Sequence, residues 1–263
     1  MKHHQDGVSI AGRKFLGIIP ARYASTRFPG KPLADMDGKT MIQRVYEQVS
    51  TTVDALYVAT DDDRIVAAVQ NFGGRFIRTS QDHRSGTDRC YEAFLQSGCD
   101  FDVIVNIQGD EPFIQPSQIE LLKSCFSVPD TQIATLVKPF DKEGDFEQTL
   151  FNFNTPKVVL NNQSEAMYFS RSVIPFFREK KYTEWLKSHP YYKHIGLYAY
   201  RSDILKEITA LPQSSLELAE SLEQLRWLQN GYKIKVAITD QETIGIDTPE
   251  DMQKALDYLR SIG

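Results

Sequence analysis

Through its first half the chain alternates short apolar runs with amphipathic ones, and this alternation restricts the fold more than any other feature. "FLGII" reads as a buried strand that stops at Pro20, and "MIQRVYEQV" as a helix, with Met41, Ile42, Val45 and Val49 at helical spacing. "ALYVAT" is the next strand, and "RIVAAVQNFG" a helix closed by Gly73 and Gly74. "RFIRT" is strand-like, "GTDRCYEAFLQSG" helical, "DVIVNIQGDEP" an apolar strand, and Pro116-Ser117 opens a further helix. Strands separated by helices of about ten residues imply βαβ units, a parallel sheet and right-handed crossovers.

The middle differs. From Thr131 to Tyr200 strand signals ("QIATLVK", "PKVVL", "AMYFS", "YYKHIGLYAY") come with few helices, which predicts an inserted mixed-sheet subdomain over about 131–200. "IPFFREKKYTEWLKSHPYYKH" reads as a long irregular loop. A helix is predicted over Leu216–Asn230, ended by Gly231, then a strand "KIKVAI" and a final helix from Pro249. The expected organisation is a polar leader, 1–14, and one domain, 15–263, carrying the insertion.

Composition excludes several function classes. With 263 residues, 41% hydrophobic and 25% charged, the chain is neither disordered nor fibrous. A net charge of −5 speaks against a nucleic-acid partner, which usually needs a basic face. Three cysteines, with no CxxC spacing, fit reduced thiols in a cytosol better than a disulfide framework or zinc site. The start is too polar for a signal peptide and the apolar runs too short to span a bilayer, so a cytoplasmic protein without membrane insertion is expected.

On this acidic chain "IIPARYASTRFPGKPL" brings Arg22, Arg27 and Lys31 together with no acid between Lys14 and Leu33. Like charges this close repel unless an anion sits among them. The loop begins where the first strand ends, on the rim where open parallel sheets bind ligands. "GKT" at Gly38–Thr40 imitates a P-loop, but the first glycine of that motif falls at Leu33, and no GxGxxG follows the strand. What remains is a loop whose backbone, Ser and Thr groups can bind phosphate oxygens.

Asp110 and Glu111 follow Gly109 at the end of the apolar strand, where a carboxylate can hold a hard cation beside phosphates. A plain Gly-Asp turn is the other reading. In "GIDTPED" Thr248 caps the last helix and Pro249 opens it, leaving Asp247 available for the same rim. Asp35/Asp37 and Asp100/Asp102 look like turns, and Asp61 and Asp62 like helix caps. Glu217, Glu220 and Glu223 read as a solvated helix face. His194, between Tyr192 and Tyr198, reads as a half-buried histidine.

"IIPARYASTRFPGKPL", "VATDD", "RSGTDR", "VNIQGDEP", "KVVL", "YFSR", "HIGLYAYR", "LEQLR" and "GIDTPEDM" together resemble, in order and interval, the 3-deoxy-manno-octulosonate cytidylyltransferase (CMP-Kdo synthetase) family of Gram-negative bacteria. The resemblance runs from about Phe15 to Arg260, omitting "REKKYTEWLKSHP". It implies an α/β, Rossmann-like nucleotidyltransferase fold with a mainly parallel central sheet and a smaller mixed-sheet subdomain used for dimerisation. It further implies a Mg²⁺-dependent homodimer that joins CTP and Kdo into CMP-Kdo and pyrophosphate for lipopolysaccharide biosynthesis. By the same resemblance Arg22, Arg27 and Lys31 are catalytic, and Asp110 and Asp247 hold the metal. Ala21, Arg22, Ser25, Lys31, Ser85, Gly86 and Gln108 bind the nucleotide. Arg89, Arg171, His194, Tyr198, Glu223 and Gln224 bind the sugar. Arg84 and Asp88 stand where the family commonly has Gln and Glu.

Overall fold

The computed structural model describes residues 12–24, 28–98, 100–143, 149–242 and 244–262. They fall into two compact units, one of Gly12–Glu120 with the stretch from Glu242 onward, the other of Leu121–Gln241. The first, the parallel unit, carries β1 (Phe15–Pro20), β2 (Ala55–Thr60), β3 (Phe76–Arg78) and β4 (Val103–Asn106). Their order is β3-β2-β1-β4, with each pairing parallel. β1 and β4 are buried almost throughout, as strands covered on both faces must be.

The connections are α1 (Met41–Val49), α2 (Asp63–Asn71) and α3 (Gly86–Gln96), as the periodicity predicts. Met41, Ile42, Val45 and Val49 are all fully buried, and Thr40 caps α1 by accepting the Gln43 N–H. Asp62 caps α2, but Asp61 does not: its carboxylate pairs with the buried Arg89 guanidinium at 2.8 Å. The chain runs outward from β1 to β2 and β3, then returns to β4 on the other side of β1. The loops leaving β1 and β4 therefore diverge, and a crevice opens where the strand order reverses.

After α4 (Pro116–Ser124) comes the mixed unit. Here β5 (Ile133–Pro139) pairs antiparallel with β8 (Tyr192–Arg201) and parallel with β9 (Ile234–Ile238). β6 (Lys157–Leu160) runs antiparallel to both β7 (Ala166–Ser170) and β8. The mixed sheet read over 131–200 is thus present, with β9 added to it.

Two expectations need correction, and one helix lies where none is predicted. The segment read as irregular contains a short helix, α5 (Trp185–Ser188), because Trp185 and Leu186 are buried against Phe140, Leu150 and Tyr191. α6 (Ser202–Thr209) was not expected, although Ile204, Leu205 and Ile208 give it an apolar face. The helix read over Leu216–Asn230 is two, α7 (Ser215–Glu220) and α8 (Gln224–Gln229), broken at Ser221 in the left-handed conformation (φ 51°, ψ 48°).

The chain then returns to the parallel unit with α9 (Pro249–Ile262). Ile246, Met252 and Ala255 pack with Met36, Met41 and Phe113, so the basic loop, the segment after β4 and the start of α9 share one core cluster.

Candidate active site

A cleft of about 300 Å³ opens at this crevice of the parallel unit. Pro20 and Arg22 come from the end of β1, Gln108, Gly109 and Asp110 from the end of β4, and Ser85 and Gly86 from the start of α3. Lys31, Arg84, Arg89 and Asp247 complete the lining relevant to charge. Ser85 accepts the Asp88 N–H at 3.1 Å and so caps α3, leaving the positive end of an 11-residue helix at the cleft. A Cβ on Gly109 would lie 3.1 Å from the Pro20 carbonyl oxygen, tighter than most side-chain contacts, so glycine lets the two loops approach this closely without a backbone shift. Ala21 is buried, its N–H bound to the Ala59 carbonyl, which fixes the turn that presents Arg22.

Lys31 is the centre of the arrangement. Its ammonium donates to Asp110 Oδ2 at 2.6 Å, to the Ile246 carbonyl at 2.8 Å and to Asp247 Oδ1 at 3.4 Å. The Ile246 N–H donates to the Asp110 carbonyl at 2.9 Å, which locks the two acid-bearing segments together. Thr248 and Asp251 cap α9 reciprocally: the Asp251 N–H meets Thr248 Oγ1 at 3.2 Å, and the Thr248 N–H meets Asp251 Oδ2 at 3.0 Å. As the sequence suggests, capping occupies Thr248 and leaves the Asp247 carboxylate facing Lys31.

Glu111 separates from Asp110 on physical grounds. Its Oε2 is buried without a hydrogen-bond partner among the described residues, and burial, assisted by the neighbouring Asp110 charge, raises its pKa to about 8. A carboxyl that stays protonated near neutrality is a poor ligand for a hard cation, whereas Asp110 opens onto the cleft.

Of the residues implied for the sugar, Arg89 lies in this cleft, held by Thr79 Oγ1 at 2.6 Å and by Asp61. The others belong to the mixed unit. There a break in register sets Thr135 opposite Tyr198 but Leu136 opposite Ile195, so β8 bulges at Gly196 and Leu197. The bulge brings the His194 and Tyr198 rings to 5.2 Å, with Tyr198 edge-on to Trp227. The Thr135 hydroxyl lies 2.9 Å from the Leu197 carbonyl, 3.1 Å from that of Ile195 and 3.1 Å from His194 Nε2. Carbonyls can only accept, so the Thr135 proton goes to one of them and Nε2 carries the imidazole hydrogen. His194 Nδ1 is then an acceptor.

Burial pulls the His194 pKa from 6.5 down to about 3, so the ring is neutral. The unfolded chain takes up a proton near pH 6.5 that the folded chain refuses until about 3. Across that window the unfolded state binds more protons, and stability is lost as pH falls. Urea midpoints measured between about pH 6.5 and pH 4 are expected to decline, and His194→Gln to flatten the decline; an unchanged slope would contradict the assignment.

Tyr198, pushed well above its ordinary pKa chiefly by burial, keeps its proton. Its hydroxyl and the Gln224 Nε2 are buried without a hydrogen-bond partner among the described residues. Buried polar groups are normally paired, so two donors of the mixed unit with no such partner within hydrogen-bond distance, one of them on the ring next to His194, suggest a ligand that completes them. Glu223, 3.3 Å from Arg226 Nη2, also acts on Tyr198 electrostatically.

The helix face read as solvated is not solvated. Glu217 is buried in a bidentate pair with Arg226, at 2.9 and 2.7 Å, and completes a capping box with Ser214. Glu220 holds Ser170 and Arg171. Ser-x-x-Glu at 214–217 is a legible capping signal; nothing local marks Glu220, because its partners are about fifty positions away. Ser25 and Arg27 lie outside the described residues. Among the described residues no group of three or more metal-ligating side chains occurs, and no helix is long and apolar enough to cross a membrane.

The sequence model of the cytidylyltransferase family matches residues 16–234. A 3-deoxy-manno-octulosonate cytidylyltransferase of Parabacteroides distasonis is 73% identical, over 94% of this chain and 98% of that protein. One of Bacteroides thetaiotaomicron is 69% identical, over 94% and 99%. A solved CMP:2-keto-3-deoxy-manno-octonic acid synthetase complexed with CTP aligns with a TM-score of 0.85 at 42% identity, over 95% of this chain and 100% of that one. The fold alone is shared with a nucleotidyl transferase of Methanothermobacter, at 14% identity and a TM-score of 0.59. With a family model across most of its length and relatives this similar end to end, the chain belongs to the 3-deoxy-manno-octulosonate cytidylyltransferases.

Proposed function

We propose that this chain transfers CMP from CTP to Kdo, releasing pyrophosphate. A hydroxyl oxygen of the sugar bonds to the α-phosphorus while the bond from that phosphorus to the bridging β-oxygen breaks; pyrophosphate carries away the electron pair, and the hydroxyl proton is released to solvent. The observation that carries the reading is the Lys31 ammonium between Asp110 and Asp247, on a cleft that also holds Arg22 and the positive end of α3. Arg22 and Lys31 neutralise the triphosphate and stabilise charge moving onto the leaving group; chemistry of this kind depends mainly on positioning and electrostatics.

Magnesium dependence is part of the proposal. Two carboxylates on loops tied backbone to backbone suit an ion that takes its other oxygen ligands from phosphate and water. When bound, such an ion supplies neutralising charge at the phosphates. Asp110 and Asp247 would hold it, and Lys31, released from them, would turn to phosphate oxygens.

The second half of the reading concerns the acid sugar. Donors on Tyr198 and Gln224, an acceptor on His194 and the Arg171 cation match a molecule with one carboxylate and several hydroxyls. Cytoplasmic supply of Kdo to lipopolysaccharide and assembly as a homodimer belong to the same proposal; exposed Phe153, Met167 and Phe176 in the mixed unit favour an assembly.

The test incubates the protein with each nucleoside triphosphate and either Kdo or sialic acid, with and without Mg²⁺, and measures pyrophosphate. Release is expected with CTP and Kdo and to require Mg²⁺. Preference for sialic acid would redirect the assignment to another acid sugar, and no release with either sugar would overturn it.

A further inference from the structure

Arg171 is implicated as a sugar ligand, yet the way it is held has a design of its own. Its Nε donates to the Glu220 carbonyl at 2.7 Å, Nη1 to the Phe153 carbonyl at 3.1 Å and Nη2 to the Ser221 carbonyl at 3.3 Å. Each acceptor is neutral, and no carboxylate among the described residues forms an ion pair with the guanidinium. The one acid beside it is turned elsewhere: Glu220 Oε1 accepts the Ser170 hydroxyl at 2.6 Å, and Oε2 accepts the Arg171 backbone N–H at 2.9 Å. From the other side Lys157 Nζ donates to the Arg171 carbonyl at 3.1 Å and to that of Asn152 at 2.7 Å.

This grip aims a cation while leaving its charge unmatched. Three of five guanidinium N–H groups point at carbonyls, so direction is fixed, and two remain to meet a ligand oxyanion. The corner that supplies two of those carbonyls is the break between α7 and α8, where Ser221 takes the left-handed conformation that non-glycine residues disfavour. Such a conformation persists only where its surroundings enforce it, and here it turns the Glu220 and Ser221 carbonyls toward one side chain.

We propose that Glu220 is a positioning residue for Arg171, and that the Glu220–Ser221 corner sets the affinity for the carboxylate of the acid sugar. The inference rests on the functional reading above and deepens it. Glu220 touches no substrate; it acts by holding both the backbone and the guanidinium of the residue that does.

The experiment compares wild type with Glu220→Ala, Glu220→Asp and Glu220→Gln, each checked for thermal stability. Alanine keeps the main-chain carbonyl that meets Nε but removes the carboxylate that anchors it to Ser170 and to the Arg171 backbone N–H; aspartate keeps the charge but shortens the reach, and glutamine keeps the length and one acceptor. Alanine and aspartate are expected to raise KM for Kdo about tenfold, the order expected for losing one charge-assisted hydrogen bond, with KM for CTP and kcat within about twofold. Glutamine is expected to recover most of the loss. A second readout is the Arg171 Nε–H resonance, assigned by its disappearance in Arg171→Lys: slow solvent exchange in wild type and glutamine, fast exchange in alanine and aspartate. An unchanged KM for Kdo, or equal losses for both substrates with no change in Nε–H exchange, would overturn the proposal. Should alanine fail to fold, aspartate and glutamine decide. An inactive wild type would instead count against the functional reading, while the Nε–H signal would still report whether Glu220 fixes Arg171.

Discussion

Replacing Lys31 with alanine is expected to lower turnover with CTP and Kdo about 10²–10³-fold, the usual loss when one preorganised electrostatic contact to a developing charge is removed. The side chain is largely buried between Asp110 and Asp247, so its ammonium is held at the cleft and has only to turn from the carboxylates to reach a phosphate there. Removal also leaves two carboxylates facing each other without the cation between them. Lys31→Arg should restore little, because a planar guanidinium does not reproduce three contacts to a compact ammonium at 2.6, 2.8 and 3.4 Å. Single-turnover measurements at saturating CTP separate this from weakened binding. Near-normal turnover in the alanine variant would remove Lys31 from the chemistry.

The largest loss of stability is expected at Glu217. Its carboxylate and the Arg226 guanidinium are both more than nine-tenths buried and paired through two hydrogen bonds. Glu217→Ala strands a buried cation, which typically costs about 3–5 kcal/mol. Glu223, 3.3 Å from the same guanidinium, remains as a partial partner and argues for the lower end, about 3 kcal/mol. Urea unfolding gives the number. Changing both partners, Glu217→Leu with Arg226→Met, should cost much less, because the penalty belongs to the widowed charge. If the double variant is as unstable as the single, the stabilisation comes from the capping box with Ser214 instead.

Much of this was readable from the chain. Strand–helix alternation gave the parallel unit, and the position of the basic loop and "QGDE" after strands gave their meeting at one cleft. Both depend on local periodicity and on the rule that ligands bind beyond strand ends. What escaped depends on distant partners. Asp61 looked like a cap because Arg89, 28 positions on, is invisible to a local reading. Lys157 reads as an ordinary strand residue, yet it is fully buried, its pKa lowered to about 8 mainly by that burial. Glu217 and Glu220 have helical spacing suited to a wet face, and only tertiary contacts reveal otherwise. The break at Ser221 carries no glycine or proline to announce it.

The parallel unit is assembled from two stretches of chain separated by more than a hundred residues. A nascent polypeptide that has emerged through Glu120 holds Lys31 and Asp110 but lacks Asp247, and lacks the Ile246, Met252 and Ala255 side chains that cover Met36, Met41 and Phe113. Its apolar floor stays uncovered until the ribosome has delivered the stretch from Ile246 to Ala255. Vectorial synthesis thus keeps Asp247 away from Asp110 until the segment that carries it has been made, and a product terminated before that segment cannot bring both carboxylates to Lys31.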